Sequence, residues 1–238
     1  MLAPTDFFDL SQTDVAAFFE DCTYVWEGLQ NLKGHVARLV GSERVVLGEV
    51  AEGAYLGEGA LYIGEGARIE PGAYVQGPSY IGAGAVVRHG AFVRENSVIL
   101  SGAIVGHATE VKHSLLLPGA HAPHFNYVGD SILGQGVNLG AGTKLSNLTM
   151  VSEKDGTTGK RPTLKIVIEG QTYDTGLAKL GGILGDGAQT GCNSVLNPGT
   201  LLGKGTLVYA NLSVAKGYYG PRMVLKLRQK MVQAVRRG

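Results

Sequence analysis

Residues 61–100 read LYIGEGARIEPGAYVQGPSYIGAGAVVRHGAFVRENSVIL, and their spacing decides the fold. An aliphatic residue recurs at every sixth position: Ile63, Ile69, Val75, Ile81, Val87, Val93 and Ile99, then Val105, Val111 and Leu117. Four places after each stands a small residue, as at Ala67, Ala73, Ser79, Ala85, Ala91, Ser97, Ala103 and Thr109. An amphipathic helix needs apolar residues at i, i+3, i+4 and i+7, and a hairpin sheet needs strict alternation between turns. A period of six satisfies neither. Three such segments close one triangular coil: the aliphatic residue fills the interior, and the small residue lets the chain round the corner. Glycines such as Gly66, Gly72, Gly84 and Gly90 supply positive φ. Stacked coils bury a continuous core in which each coil rests on its neighbours. The predicted architecture is an all-β solenoid, a parallel β-helix.

Outward from this stretch, the register is expected to hold to Leu117, to break, and to resume at Leu133, Leu139 and Leu145. A second polar break, Val151–Lys179, reads as a loop insertion of about residues 150–180, with a hairpin near Leu164–Thr172 turning at Glu169–Gly170. The repeat returns at Leu184, Leu196, Leu202, Val208 and Val214, with Thr190 an imperfect member. The β-helix therefore spans residues 46–218. Residues 1–45, with Phe7, Phe8, Phe18, Phe19, Val25, Trp26, Leu29 and Leu32 at helical spacing, are expected to form an amino-terminal helical cap. Residues 219–238 are expected to form a carboxy-terminal helix with Pro221 in its first turn. Lids over both ends would shield open strand edges from aggregation.

Hydrophobic residues make up 44% of the chain, enough to bury a core, and the formal charge is +1. Apart from the basic tail Lys226–Arg237 there is no run of one sign, which argues against a nucleic-acid partner. No apolar segment approaches the roughly 20 residues that cross a bilayer, and the first residues lack the pattern of a secretory signal. With Cys22 and Cys192 far apart, the expectation is a cytoplasmic protein with free thiols.

Two histidines, His121 and His124, fall in the first break and suggest either a metal site or a general base. A solvated histidine is the ordinary alternative for each. Three imidazoles on adjacent coils would make a valid zinc site, and His89, His107 and His113 are also available. Residues in register on one face stand three hexapeptides apart, which only His89 and His107 do, so no metal is expected.

The stretch His124–Thr143 (HFNYVGDSILGQGVNLGAGT) resembles the left-handed β-helix acetyltransferase domain of the bifunctional glucosamine-1-phosphate acetyltransferase/N-acetylglucosamine-1-phosphate uridyltransferase. Asp174–Gly181 and Thr190–Gly199 resemble the carboxy-terminal domains of archaeal-type sugar-1-phosphate nucleotidyltransferases that also acetylate amino-sugar phosphates. Together the likeness covers about residues 60–218. It implies a left-handed winding and a homotrimer. It also implies direct transfer from acetyl-CoA to an amino sugar bearing a phosphate or nucleotide, without an acyl-enzyme. By this resemblance His124 is the general base, Asn147 contacts substrate near the reacting centre, and the Ala141 amide serves the oxyanion. Arg94, Lys112, Tyr127 and Lys179 hold the sugar phosphate, Asn138 the sugar, and Glu110 matches an acidic residue of the same coil. Cys192, where the family has a coenzyme-contacting serine, and Ala210 lie on the coenzyme side. A covalent role for Cys192 is disfavoured, since a small buried thiol is the commoner case.

The family's Asn-Tyr-Asp-Gly is here Asn147-Leu148-Thr149-Met150, which removes a tyrosine contact. Residues 1–45 are too short for the family's nucleotidyltransferase domain, so only acetyl transfer is expected. The alternative reading is a non-catalytic β-helix that binds a sugar nucleotide or a partner enzyme as a regulatory or scaffolding subunit.

Overall fold

The structure, a computed structural model, describes residues 1–228 and Gln233. The six-residue period becomes a triangular solenoid whose three parallel sheets hold nine, nine and eight strands. These are termed faces A, B and C, and they begin a typical coil with Leu61–Ile63, Arg68–Ile69 and Tyr74–Val75 respectively. In the next coil Ile81, Val87 and Val93 pair with Ile63, Ile69 and Val75, and all six side chains are buried.

After Val111 the coil shortens by one residue. Ile99 pairs with Leu116, Val105 with Ala122 and Val111 with Val128. Leu116 therefore fills the interior in place of the expected Leu117, which packs outward. The stretch 118–132 is thus no interruption: His121–His124 and Tyr127–Gly129 are strands of a regular coil. Thr190 occupies the interior row opposite Leu139. Its hydroxyl lies 2.9 Å from the Thr143 hydroxyl, and mutual hydrogen bonding makes the buried polar pair tolerable.

The outward residues of face A explain the helices. Tyr62, Tyr80, Val98, Leu115, Ile132, Ile183, Leu201 and Tyr218 stack in one ladder. An apolar ladder of that length must be covered. Over it lie α1 (Pro4–Phe7), α2 (Thr13–Ala16) and α3 (Glu27–Val40), which bring Phe7, Val15, Leu29, Leu32 and Val36 into the same buried cluster. The Glu27 carboxylate accepts from the Thr23 and Tyr24 amides at the start of α3, and Gly41, at φ 62°, ends it. The cap therefore lies along a side of the prism, not over its end, where Val50 and Leu56 stay partly exposed. Each wholly buried aliphatic residue of the ladder contributes about 1.5–3 kcal/mol.

The insertion joins this side layer. Lys165–Ile168 and Gln171–Asp174 form an antiparallel hairpin, with Glu169 and Gly170 both at positive φ, as its two-residue turn requires. Tyr173 packs edge-on against Tyr24 and Trp26, and Gln30 Nε2 donates to the Thr175 carbonyl at 2.6 Å.

The helix expected from Pro221 is not where the described chain goes. Gly217–Tyr219 and Val224–Leu225 continue the coil on faces A and B, because Leu225 falls beneath Val208 on the interior row. The rest of that expectation, residues 229–238 other than Gln233, lies outside the described residues. Among the described residues no helix is long and apolar enough to cross a membrane.

Candidate active site

The corner between faces B and C carries a column of the residues singled out above. The Phe125 amide donates to the His107 carbonyl, Gly142 to His124, Asn193 to Ala141, and Asn211 to Cys192, at 2.8–2.9 Å. His107, His124, Ala141, Cys192 and Ala210 therefore hold equivalent places on successive coils, about 4.8 Å apart. The His124 side chain is exposed. Its backbone is pinned by the buried Asn126, which accepts from the His124 amide at 3.1 Å and donates to the Gly140 carbonyl at 2.9 Å. The Ala141 amide donates to no other described residue. Corner amides such as that of Ser101 are equally free, so what distinguishes Ala141 is its place directly beside His124. Cys192 is a free, exposed thiol, not the buried one expected.

Face C presents a second row at right angles to its strands: Phe92, Glu110, Tyr127 and Lys144 are in register. Arg94 Nη1 bonds Glu110 Oε1 at 3.0 Å, its Nε lies 3.7 Å from Glu95, and the guanidinium sits 5.9 Å from the centre of the Phe92 ring. Burial, then the charges of Glu110 and Asp130, hold the Tyr127 hydroxyl above its ordinary pKa, so it stays a proton donor. Lys144 was missed in the sequence. Its Nζ donates to the Gly142 carbonyl at 2.6 Å, and its one available signal was its place beneath Tyr127 in the shortened register.

The opposite edge of face C gathers a third group. The Leu180 amide donates to the Asn147 carbonyl at 3.0 Å, and the Gly181 amide to Asp130 at 2.8 Å. The insertion thus returns to its point of departure and sets Lys179 beside Asn147. Lys112 pairs with Gly129, and neither Lys112 nor Lys179 is in an ion pair among the described residues. The bare face of Gly129 matters here. A Cβ would stand 2.7 Å from Tyr127 Oη and 2.8 Å from Asn147 Nδ2. Gly129→Ala is expected to displace both groups and, in the activity the resemblance implies, to raise the KM for the acceptor several-fold with a smaller change in kcat, measured by steady-state kinetics.

One expected member stands apart from these. Asn138 pairs with His121 on face B, across the corner from Tyr127. The strand Tyr127–Gly129, about 10 Å long at ~3.3 Å per residue, separates the His124 corner from the Asn147 corner. His89 and His107 stack with ring centres 5.3 Å apart, each Nδ1 against a carbonyl, of Pro71 and His89 respectively. Among the described residues no three His, Cys, Asp or Glu side chains converge as a metal would need.

His113 lies behind the Asn147 corner, near Asp130 and the Leu29 backbone of α3. Burial holds its imidazole below the ordinary value of 6.5, as it does for His35 and His121. The unfolded chain therefore takes up protons first as pH falls, and stability is lost below about pH 6.5. The Tm is expected to drop between pH 7 and 5, and His113→Gln to flatten that slope in thermal melts; an equal slope would contradict it.

Residues 75–161 match the family described as the GMPPB C-terminal domain. A bifunctional sugar-1-phosphate nucleotidylyltransferase/acetyltransferase of Sulfurisphaera tokodaii is 32% identical over 81% of the chain and 45% of its own length. The chain is thus similar to part of this bifunctional enzyme. The bifunctional protein GlmU of Methanococcus aeolicus is 27% identical over 88% of the chain and 46% of its own length. The chain thus spans less than half the length of these curated relatives. Among solved structures, the UDP-N-acetylglucosamine acyltransferase of Campylobacter jejuni is similar at a TM-score of 0.30 and 16% identity, over 76% of this chain and 72% of that one. The fold of the chain is a three-faced parallel β-helix.

Proposed function

We propose that this chain is an acetyl-CoA-dependent N-acetyltransferase that acts in the cytoplasm, as a homotrimer, on an amino sugar carrying a phosphate or a nucleotide. One observation carries the reading: His124, Ala141, Cys192 and Ala210 form a single column, beside a face that offers Arg94, Lys112 and Tyr127. The acceptor's amino nitrogen attacks the thioester carbon, forming the C–N bond. The Ala141 amide donates to the oxyanion of the tetrahedral intermediate. His124 takes the proton from the nitrogen and returns it to the sulfur as the C–S bond breaks, releasing coenzyme A and the acetamido sugar. Lys112, Lys179 and Tyr127 hold the phosphate by charge-assisted hydrogen bonds. Among the described residues no helix covers face B or face C, which leaves room for neighbouring copies, and a partner wall would close over face C between its two edges.

A thiol-release assay tests this with acetyl-CoA and glucosamine-1-phosphate, galactosamine-1-phosphate and UDP-linked amino sugars. Turnover with at least one is expected, and light scattering should give three times the 24.9 kDa chain. Leu148 in place of the family's tyrosine favours the second reading, a regulatory or scaffolding β-helix. Sugar-nucleotide binding without turnover on any acceptor would decide for it.

A further inference from the structure

Asp130 has no role in the sequence reading, yet it is buried at the Asn147 corner with its backbone bonded on both sides. It is 8% exposed and sits at φ 45°. Its amide donates to the Lys112 carbonyl at 2.9 Å, and its own carbonyl accepts from Gly181 at 2.8 Å. The backbone is thus fixed on both sides by residues of the site. Its Oδ2 accepts a short hydrogen bond from Asn147 Nδ2. The same Nδ2 lies over Gly129, where the Tyr127 hydroxyl also points.

We propose that Asp130 is a positioning residue that fixes which way the Asn147 amide faces, so that Asn147 Oδ1 is presented to the acceptor sugar. A terminal amide has a donor end and an acceptor end of nearly equal shape, and an isolated asparagine in a cleft can present either. An ionised carboxylate only accepts. Facing Asp130, the flipped amide would set Oδ1 against a carboxylate oxygen, two acceptors with no hydrogen between them. The orientation that remains turns Nδ2 to Asp130 and leaves Oδ1 with no donor among the described residues, on an atom that is not buried. An open, oriented acceptor suits a partner with hydrogens to donate, and on the proposed acceptor those are the amino group and its neighbouring hydroxyl. Accepting from the amine would aim the nitrogen lone pair away from Asn147, towards the thioester. The substrate half of this inference rests on the acetyltransferase reading; the orientation of the amide does not.

Two measurements on the full-length protein keep those halves apart. Asparagine tolerates the left-handed region well, so Asp130→Asn keeps the backbone while allowing either amide orientation; thermal melts check the fold. In wild type, the Asn147 side-chain amide, assigned by its loss in Asn147→Ala, is expected to show one downfield, slowly exchanging N–H in the 15N–1H spectrum. In Asp130→Asn that signal is expected to move upfield and exchange faster. An unchanged signal overturns the proposal whether or not the protein turns over any sugar. In kinetics, Asp130→Asn is expected to lower kcat/KM for the acceptor at least tenfold. Added to Asn147→Ala it should cost nothing further, because both changes remove one device. A wild-type-like kcat/KM in Asp130→Asn, or losses that multiply in the double variant, overturns the role. A wild type silent on every acceptor while the amide responds as expected refutes the acetyltransferase reading and leaves the orientation standing.

Discussion

His124→Ala is expected to reduce kcat for acetyl transfer about a hundred- to ten-thousand-fold, the range by which a positioned proton acceptor speeds such steps. The side chain is exposed and makes no side-chain hydrogen bond to a described residue, so the Tm should stay close to that of wild type. The KM for the acceptor should change little, because the phosphate contacts belong to face C. His89→Ala supplies the comparison: its ring occupies the same corner two coils away, stacked on His107, and its loss should leave kcat within a few-fold. Equal rates for His124→Ala and wild type across the acceptor panel would remove the imidazole from the mechanism.

Gly106→Ala is expected to be among the most damaging single-methyl additions in the chain. A Cβ there would overlap the Pro123 carbonyl oxygen and carbon. Backbone atoms cannot rotate aside as a side chain can, so the two coils must separate. Overpacking of this kind costs about 3 kcal/mol or more, read as a fall in Tm and in the denaturant midpoint. Pro123 precedes His124, so the same displacement moves the imidazole relative to Ala141, and residual folded protein should also lose activity. Gly34→Ala is the contrasting substitution. It lies within α3 with only the tip of Arg38 near, at 3.6 Å, and should raise stability by about 0.5–1 kcal/mol. A Gly106→Ala protein as stable as wild type would show that the strand His121–His124 is not seated against Gly106 as described.

The solenoid was legible because its interior is written by identity: one aliphatic residue in six, which no helix or hairpin reproduces. The slip after Val111 was not, because Leu115, Leu116 and Leu117 are alike to hydrophobicity. Only the outward ladder through Leu115 decides which of them turns in. The same ladder explains the cap's placement. Outward residues of face A looked like ordinary β-rich sequence, and their alignment over eight coils exists only once the register is known. Of the site, the corner column followed from the resemblance together with the period. Lys144 and Asp130 did not. One needed the corrected register, and the other acts through a neighbour brought close by folding.

The insertion closes on itself: Asn147 and Leu180 face each other across a single hydrogen bond. Excising what lies between would leave two ends already within bonding reach on an otherwise unbroken spiral. Such an excursion can lengthen, shrink or be exchanged between lineages without re-indexing any later turn. What the appendage sets beside Asn147 can therefore vary while the prism beneath stays intact.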